Sequence, residues 1–192
     1  MSAPGACKLD NVAARRRRAV FLDRDGVLNR AVVVDGRPYP PICLAELELL
    51  PNVDLACRRL AESGALLICV TNQPDVARGT QSAAEVKSIN DWLRMTLGLF
   101  EVRACFHDER DGCFCRKPRP GMLIEAARQH GIDLAGSIMV GDRWRDIEAG
   151  RNAGCRTVFL NYEYNERQPQ NADFTFRSLL AAVPTILSIL KQ

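Results

Sequence analysis

Acidic side chains follow two apolar runs of the sequence at short spacing. Asp23 and Asp25 come directly after one run, and Asp142 and Asp146 come shortly after another. On an extended backbone, side chains two positions apart point the same way, and adjacent carboxylates repel unless a cation, a shared proton or separate donors stabilise them. Carboxylate oxygens are ligands that Mg²⁺ prefers. The spacing therefore favours a magnesium site, with the alternative that Asp25 belongs to a turn and Asp142 caps a helix.

A second set of candidate ligands lies in one short segment. Cys105, His107, Cys113 and Cys115 supply four soft ligands within eleven positions. Ligands two positions apart lie on one side of an extended segment, so each pair can take two corners of a tetrahedron. Four protein ligands without a vacant position are typical of structural zinc, and the alternative is a set of buried thiols beside a surface histidine. The other cysteines are interpreted as ordinary small apolar residues: Cys7, Cys43, Cys57, Cys69 and Cys155.

Short apolar runs alternate with stretches of helical period, and these elements must position the candidate ligands. Strands are predicted at 19–22, 65–70, 102–106, 137–140 and 157–160. Helices are predicted at 53–63, 83–97, 122–130 and 145–153, and a packed apolar helix at 179–190. The alternation predicts an α/β fold, a Rossmann-like parallel sheet with helices on both faces. Because ligands bind at the carboxyl ends of parallel strands, we expect the polar segments at these ends to converge.

Composition limits what the chain can do. It has 192 residues, of which 6% are aromatic, and a formal net charge of +3. Such a small charge and so few aromatic rings predict neither a nucleic-acid nor a membrane partner. We expect reduced thiols, a cytoplasmic location and a monomer or weak homodimer. Residues 1–18, which contain the basic run Arg15–Arg18, are expected to form an N-terminal tail, and residues 19–192 a single domain with a zinc loop at 105–115.

Four motifs, in order along the chain, resemble those of a known enzyme family. They are Phe21-Leu22-Asp23-Arg24-Asp25-Gly26-Val27, Thr71-Asn72-Gln73, Lys117 and Gly141-Asp142-Arg143-Trp144-Arg145-Asp146. As a set they resemble the haloacid dehalogenase superfamily of phosphatases. The resemblance implies a phosphatase domain with a Rossmann-like sheet and no large cap, Mg²⁺ as a cofactor, and a covalent aspartyl-phosphate intermediate.

The resemblance also implies a role for each motif residue. Asp23 is the expected nucleophile, and Asp25 is the expected acid and base. Mg²⁺ is expected at Asp23, the backbone carbonyl of Asp25 and Asp142. Thr71 and Lys117 are expected to hold the oxygens of the transferred phosphoryl group. Substrate contacts are expected from Arg24, Asn72, Gln73, Arg116 and Arg143.

The cysteine segment narrows the resemblance, because it runs directly into Arg116-Lys117-Pro118. This arrangement resembles two branches of the superfamily, the D-glycero-D-manno-heptose 1,7-bisphosphate 7-phosphatases and the histidinol-phosphate phosphatases. The segments 71–79 and 117–122 resemble the heptose branch more, which implies a small phosphorylated sugar that loses its 7-phosphate. Histidinol phosphate or another small phosphate ester stays open as an alternative. A zinc-stabilised module that binds nucleic acid through Arg15–Arg18 is a third hypothesis.

A bisphosphorylated sugar carries several negative charges, and arginine side chains suit phosphate oxygens. The loop at 30–41 is expected to frame the entrance, where Tyr39 either touches the sugar or packs within the loop. Arg116 and Arg143 are favoured as phosphate contacts because they adjoin Lys117 and Asp142. The full set of candidate arginines is Arg24, Arg78, Arg116, Arg119 and Arg143.

Overall fold

The protein is built on a six-stranded parallel sheet. A computed structural model describes residues 17–192, so Cys7, Arg15 and most of the expected N-terminal tail lie outside the described residues. Strands β5, β4, β1, β6, β7 and β8 lie side by side in that order, all parallel. The predicted α/β sheet is confirmed. The strand bounds are β1 Ala19–Leu22, β2 Val32–Val34, β3 Arg37–Tyr39, β4 Leu66–Asn72, β5 Glu101–Cys105, β6 Ile138–Gly141, β7 Arg156–Leu160 and β8 Phe174–Phe176.

Helices cover both faces of this sheet, as predicted. Strand β1 shows the arrangement, because all four of its residues are buried and alternate side chains of a strand point to opposite faces. Val20 and Leu22 pack in the core that contains α1, α2 and α5, whereas Ala19 and Phe21 pack in the core that contains α3. Helix α4 contacts α3, β6 and β7. The helices are α1 Val53–Ala61, α2 Ala83–Leu97, α3 Gly121–His130, α4 Trp144–Ala153 and α5 Leu179–Leu190.

Helix α2 shows how the sequence determines a local element. The side chain of Ser82 accepts a hydrogen bond from the backbone N–H of Glu85 at 3.1 Å, which satisfies one of the donors left free at a helix start. Gly98 ends the helix in the left-handed conformation at a φ of 65°, where a residue without Cβ is favoured. The predicted apolar face is buried throughout: Val86, Ile89, Leu93 and Leu97.

Two features differ from the sequence prediction. A hairpin of β2 and β3 occupies part of the loop expected at 30–41, and its turn contains Asp35 and Gly36 at φ of 50° and 75°. Such turns match the twist of antiparallel strands, but Val32–Val34 are all exposed, so no alternating pattern marks them as a strand. The prediction also omits β8, which has only three residues.

The C-terminal helix α5 is packed, as predicted. It contacts α1, and most of its apolar residues belong to the same core as Val20 and Leu22. Pro184 lies inside the helix, exposed to solvent. None of the helices in residues 17–192 has both the length and the apolar character that crossing a bilayer requires.

The carboxyl ends of four neighbouring strands, β5, β4, β1 and β6, meet at one edge of the sheet. Asp23 directly follows β1, Asn72 ends β4, Gly141 ends β6 and Cys105 ends β5. The polar segments that the sequence placed after these strands therefore converge, and the side chains at this edge form the candidate site.

Candidate active site

The side chain of Lys117 lies at the centre of a buried group of carboxylates. Its Nζ atom is 2.7 Å from Oδ1 of Asp23 and 2.6 Å from Oδ1 of Asp146. It also donates to the carbonyl of Val70 at 2.7 Å, so all three donors of the ammonium group are used. Only 2% of the lysine side chain is exposed. The loop beyond β5 thus carries Lys117 to the same edge as Asp23.

Three buried carboxylates lie close together beside this one ammonium group, and the pKa values of Asp23, Asp142 and Lys117 are shifted. Burial raises the pKa of Asp23 to about 7; the charge of Asp146 adds to the rise, and Lys117 opposes it. Burial also raises the pKa of Asp142 well above its ordinary value, with the charges of Asp23 and Asp146 acting in the same direction. Burial opposes a rise in the pKa of Lys117, but the charges of Asp146 and Asp23 outweigh it and raise that pKa. The excess of negative charge favours binding of a second cation.

Asp142 provides the strongest indication of a cation site. The residue is buried and neither of its carboxylate oxygens accepts a well-formed hydrogen bond, although the Tyr164 hydroxyl lies near enough to oppose the rise in its pKa. Incompletely satisfied buried oxygens cost free energy unless another group binds them. Carboxylate oxygens of Asp23, Asp142 and Asp146 lie within 4.8 Å of one another. Hard oxygen donors of this kind suit Mg²⁺, which commonly binds protein carboxylates together with waters and substrate phosphate. The residues present therefore fit a magnesium ion.

Two glycines leave the space that these carboxylates occupy. A Cβ atom added to Gly26 would lie 1.8 Å from Oδ2 of Asp142, and the φ of Gly26 is +88°. A Cβ atom added to Gly141 would lie 2.1 Å from Cβ of Asp146. Both separations are far below any normal contact, so a larger residue at either position would displace a carboxylate.

The carboxylate of Asp25 is oriented by donors from three side chains. Nδ2 of Asn29 is 2.9 Å from Oδ1, Nε2 of Gln73 is 2.8 Å from Oδ2, and Nε of Arg24 is 3.1 Å from Oδ1. Asp25 itself lines a cavity. Arg24 and Gln73, which the sequence predicted to contact substrate, are fully buried and absent from the cavity wall. Arg24 also donates to Asn90 at 3.1 Å, so its position is that of a residue that orients Asp25.

The end of strand β4 positions Lys117. Oδ1 of Asn72 accepts from the backbone N–H of Lys117 at 3.0 Å, and Nδ2 donates to its carbonyl at 2.9 Å. These two hydrogen bonds fix the backbone on both sides of the Lys117 side chain. Oγ1 of Thr71 accepts from Nε2 of Gln73 at 2.9 Å, and both Thr71 and Asn72 line the cavity.

The cavity beside these residues has a volume of about 230 Å³. Asp23, Asp25 and Lys117 line it, and Arg37–Pro40 of the β2–β3 hairpin, Tyr39 included, form part of its wall. The loop expected to frame the entrance therefore does lie beside the site. Five arginines line the cavity: Arg37, Arg78, Arg116, Arg143 and Arg145.

These arginines only partly match the predicted set. Arg78, Arg116 and Arg143 are present in the wall, as the sequence suggested, and Arg24 is not. Arg119 is also outside this wall and donates to the carbonyl of Cys113 at 2.6 Å. The sequence reasoning did not select Arg37 or Arg145. The first belongs to the unpredicted hairpin, and the second immediately follows Trp144 at the start of α4.

The cysteine–histidine cluster consists of Cys105, His107, Cys113 and Cys115. Sγ of Cys115 is 3.3 Å from Sγ of Cys105, 3.5 Å from Sγ of Cys113 and 3.3 Å from Nδ1 of His107. Zinc bonded to sulfur at about 2.3 Å in a tetrahedron places neighbouring ligand atoms roughly 3.6 to 3.8 Å apart. The observed separations are close to this value and exceed the ~2.05 Å of a disulfide. The four residues therefore fit a structural zinc ion.

The loop that carries this cluster is tied to the cavity wall. Nη1 of Arg116 donates to the carbonyl of His107 at 3.2 Å. Nε of Arg78 is 2.5 Å from Oδ2 of Asp108, the residue after the histidine. Because Arg78 and Arg116 line the cavity, the conformation of the cysteine–histidine loop determines where two of the wall's cations lie.

Comparison with known proteins identifies the family. Residues 114–182 match the family model described as HAD-hydrolase-like. The D-glycero-D-manno-heptose-1,7-bisphosphate 7-phosphatase of Thermosynechococcus vestitus is 34% identical, and the match covers 88% of this chain and 95% of that protein. The chain belongs to the haloacid dehalogenase superfamily of phosphatases. The D-glycero-beta-D-manno-heptose-1,7-bisphosphate 7-phosphatase of Haemophilus ducreyi is 31% identical and covers 88% of this chain and 98% of its own length.

A solved structure of this superfamily shares the fold. The crystal structure of D,D-heptose 1,7-bisphosphate phosphatase from B. bronchiseptica, complexed with magnesium and phosphate, superposes with a TM-score of 0.73 at 30% identity. The match covers 89% of this chain and 98% of that protein. That similarity confirms the predicted fold class.

The site also contains residues that the sequence reasoning left without a role. The sequence leaves two interpretations of Asp146, that it orients the neighbours of Asp142 or that it begins a helix. In the structure it contacts Lys117 directly, and its four-residue spacing from Asp142 is the signal that the sequence offers. Asn29 and Asn90 complete the contacts around Asp25 and Arg24. Neither asparagine belongs to a motif, so only the fold identifies them.

Proposed function

We propose that this phosphatase removes the 7-phosphate of D-glycero-D-manno-heptose 1,7-bisphosphate through an aspartyl-phosphate intermediate. The proposal rests above all on the position of Asp23, whose carboxylate lies beside Lys117 in an arginine-lined cavity at the end of β1. The activity printed for the relatives supports the choice of substrate.

In the first step, an oxygen of Asp23 attacks phosphorus, and the bond between phosphorus and the sugar oxygen breaks. Asp25 gives a proton to that leaving oxygen. In the second step, Asp25 takes a proton from water as the water attacks the phosphoryl group, which releases inorganic phosphate and restores Asp23. Asn29 and Gln73 hold Asp25 in the orientation that both transfers need.

The remaining groups of the centre compensate charge. Asp23, Asp142 and the backbone carbonyl of Asp25 would hold Mg²⁺, which when bound offsets the repulsion between a carboxylate and a phosphate. Lys117 and Thr71 bind oxygens of the phosphoryl group as negative charge spreads over them. Because Asn72 fixes the Lys117 backbone, the ammonium group is positioned before the substrate arrives.

The cavity wall favours a bisphosphorylated sugar over histidinol phosphate. Its arginines attract a second phosphate group, whereas histidinol phosphate carries an ammonium group that the same cations repel. The cysteine–histidine cluster would hold a structural Zn²⁺ ion that stabilises the loop beneath two of these arginines.

The wider setting of the enzyme is proposed on the same basis. Residues 19–192 would act as one phosphatase domain, cytoplasmic, as a monomer or weak homodimer, on a small phosphorylated sugar. The arginines of the cavity wall are assigned to binding that substrate, and no nucleic-acid or membrane partner is proposed.

The test is a substrate panel with purified protein and Mg²⁺. Both anomers of heptose 1,7-bisphosphate and histidinol phosphate are offered, and phosphate release is measured. We expect kcat/KM for one heptose anomer to exceed that for histidinol phosphate by about 100-fold, which corresponds to ~2.7 kcal/mol of differential binding. Faster hydrolysis of histidinol phosphate would overturn the choice of substrate. Salt-sensitive binding of oligonucleotides that survives Asp23→Asn would instead support the nucleic-acid module.

A further inference from the structure

The arginines of the cavity wall differ in what neutralises them. Arg78 forms ion pairs with Asp75 and Asp108, and Arg143 forms one with Glu166, its Nε atom 2.9 Å from Oε1. Within residues 17–192, the other three wall arginines form no ion pair with a carboxylate: Arg37, Arg116 and Arg145.

Arg145 is the most constrained of these three. Its guanidinium carbon lies 4.8 Å from the centroid of the Trp144 ring, a cation–π contact that restrains the side chain. The residue is half-buried and belongs to the first turn of α4. Arg37, in contrast, belongs to the exposed hairpin, and Arg116 already donates to the carbonyl of His107.

The surroundings of Arg145 are rich in positive charge. Arg143 and Arg116 line the same cavity and repel its guanidinium, while Glu109 and Glu166 attract it. Placing like charges together in a half-buried cavity is unfavourable unless an anion joins them. Glu109 lines the same cavity, but Arg116 and Arg145 outnumber it, so this part of the cavity favours an additional negatively charged group.

Arg145 also lines two cavities that share part of their walls. It lines the cavity that contains Asp23 and a second cavity of about 210 Å³ beside the cysteine–histidine loop, and Arg116 and Lys117 line both as well. A substrate whose reacting phosphate lies at Asp23 and Lys117 can therefore extend its other end toward Arg145.

We propose that Arg145 is a specificity-determining residue that binds the phosphate group the enzyme does not remove. The inference rests on the proposed function and adds to it the residue that selects substrates with a negatively charged group at the end that does not react. Trp144 is the positioning residue for this guanidinium. A substrate with a neutral or ammonium group at that end leaves Arg145 without a partner and gains nothing from it.

The experiment compares two substrates that differ only in the second phosphate, heptose 1,7-bisphosphate and heptose 7-phosphate. For Arg145→Gln we expect kcat/KM to fall about 10- to 100-fold with the bisphosphate, the range for loss of a hydrogen bond to a charged group, and to stay within about twofold with the 7-phosphate. Arg145→Lys keeps the charge and should recover most of the loss. Arg167→Gln is the matched control, because Arg167 also lies over the Trp144 ring, at 4.4 Å, but does not line the cavity.

Equal losses on both substrates, or an equal effect of Arg167→Gln, would overturn the assignment. If Arg145→Gln does not fold, the wild-type enzyme still decides, because KM for the bisphosphate should be at least about tenfold lower than for the 7-phosphate. Equal KM values would contradict the proposal. Failure of the proposed function is a separate result, since wild-type protein would then hydrolyse both heptose phosphates slowly.

Discussion

The carboxylate centre and the cysteine–histidine cluster are both sets of side chains that fit a metal ion, but they are assembled in opposite ways. Asp23 and Lys117, which touch in the first, are 94 residues apart in sequence, whereas Cys105 and Cys115, which touch in the second, are 10 apart. The first is buried at the carboxyl edge of the sheet, whereas the second comprises Cys105 at the end of β5 and three residues of the following loop, of which His107 is exposed.

This difference indicates how each region responds to change. The carboxylate centre is held by the sheet, so a conservative substitution there should remove chemistry and leave the fold intact. The cysteine–histidine cluster holds a loop that has little core of its own, so a change there should alter stability and substrate binding before it alters the chemical step.

The largest expected effect is at Asp23, the proposed nucleophile. Asp23→Asn keeps the shape of the side chain but replaces the attacking oxyanion with an amide, so turnover should fall by about 10³-fold or more. The thermal midpoint should change little, because burial already favours an uncharged group at this position. Phosphate release and thermal denaturation measure the two quantities.

The matched control for this variant is Asp75→Asn, which alters another carboxylate of the cavity wall that lies outside the buried centre. Its activity should stay within about fivefold of the wild-type value. Activity of Asp23→Asn within about tenfold of wild type would show that the reaction does not pass through this side chain.

A smaller effect is expected from Gly26→Ala. The added Cβ atom would collide with Oδ2 of Asp142, while Gly64 has a similar φ of +82° and nothing within 4 Å of the same atom. Both Gly26→Ala and Gly64→Ala bear a backbone cost of about 1–2 kcal/mol, but only the first displaces a carboxylate. We expect kcat to fall about 10- to 100-fold and the Mg²⁺ concentration for half-maximal activity to rise for Gly26→Ala alone. Equal kinetic losses in the two variants would mean that strain, not Asp142, is responsible.

The smallest kinetic effect is expected in the loop. Cys113→Ser removes one of four soft ligands, and loss of about 2–3 kcal/mol of stability corresponds to roughly 5–10 °C in the thermal midpoint for a chain of this size. Because Arg116 is tied to His107, KM should rise about three- to tenfold with little change in kcat.

Cys43→Ser is the control for this variant, because Cys43 is a partly exposed thiol outside the cluster, and it should change neither quantity measurably. Metal analysis of freshly purified wild-type protein supplies the second test. Absence of zinc from that preparation would refute the assignment of the cluster.

Local patterns made most of the fold and one metal cluster predictable from sequence. The buried strands are short apolar runs, α2 carries its capping serine and its apolar face in order, and the soft ligands come in two pairs whose members are two positions apart. Contacts between residues far apart in sequence could be predicted only from the rule that ligands bind at the carboxyl ends of parallel strands. That rule places Asp23, Thr71 and Asp142 at one edge of the sheet.

The sequence could not predict which polar side chains are buried and which face the cavity. Arg24 looks like a phosphate ligand because it is an arginine in a catalytic motif, but its side chain is fully enclosed beside Asp25. Arg145 occupies an equally polar stretch and faces the cavity instead. The sequence does not predict the hairpin, because its valines are exposed on an isolated two-stranded sheet. Without one buried and one exposed face, the strand shows no alternation of apolar and polar residues.

The hydrogen bonds from Arg116 and Arg78 to the cysteine–histidine loop separate two tasks along the chain. In the proposed mechanism, bond cleavage depends on residues positioned by the sheet, whereas recognition of the rest of the substrate depends on the cysteine–histidine loop and the first turn of α4. Exchanging that loop between relatives should therefore alter substrate selectivity while the residues proposed to cleave the phosphate ester stay unchanged.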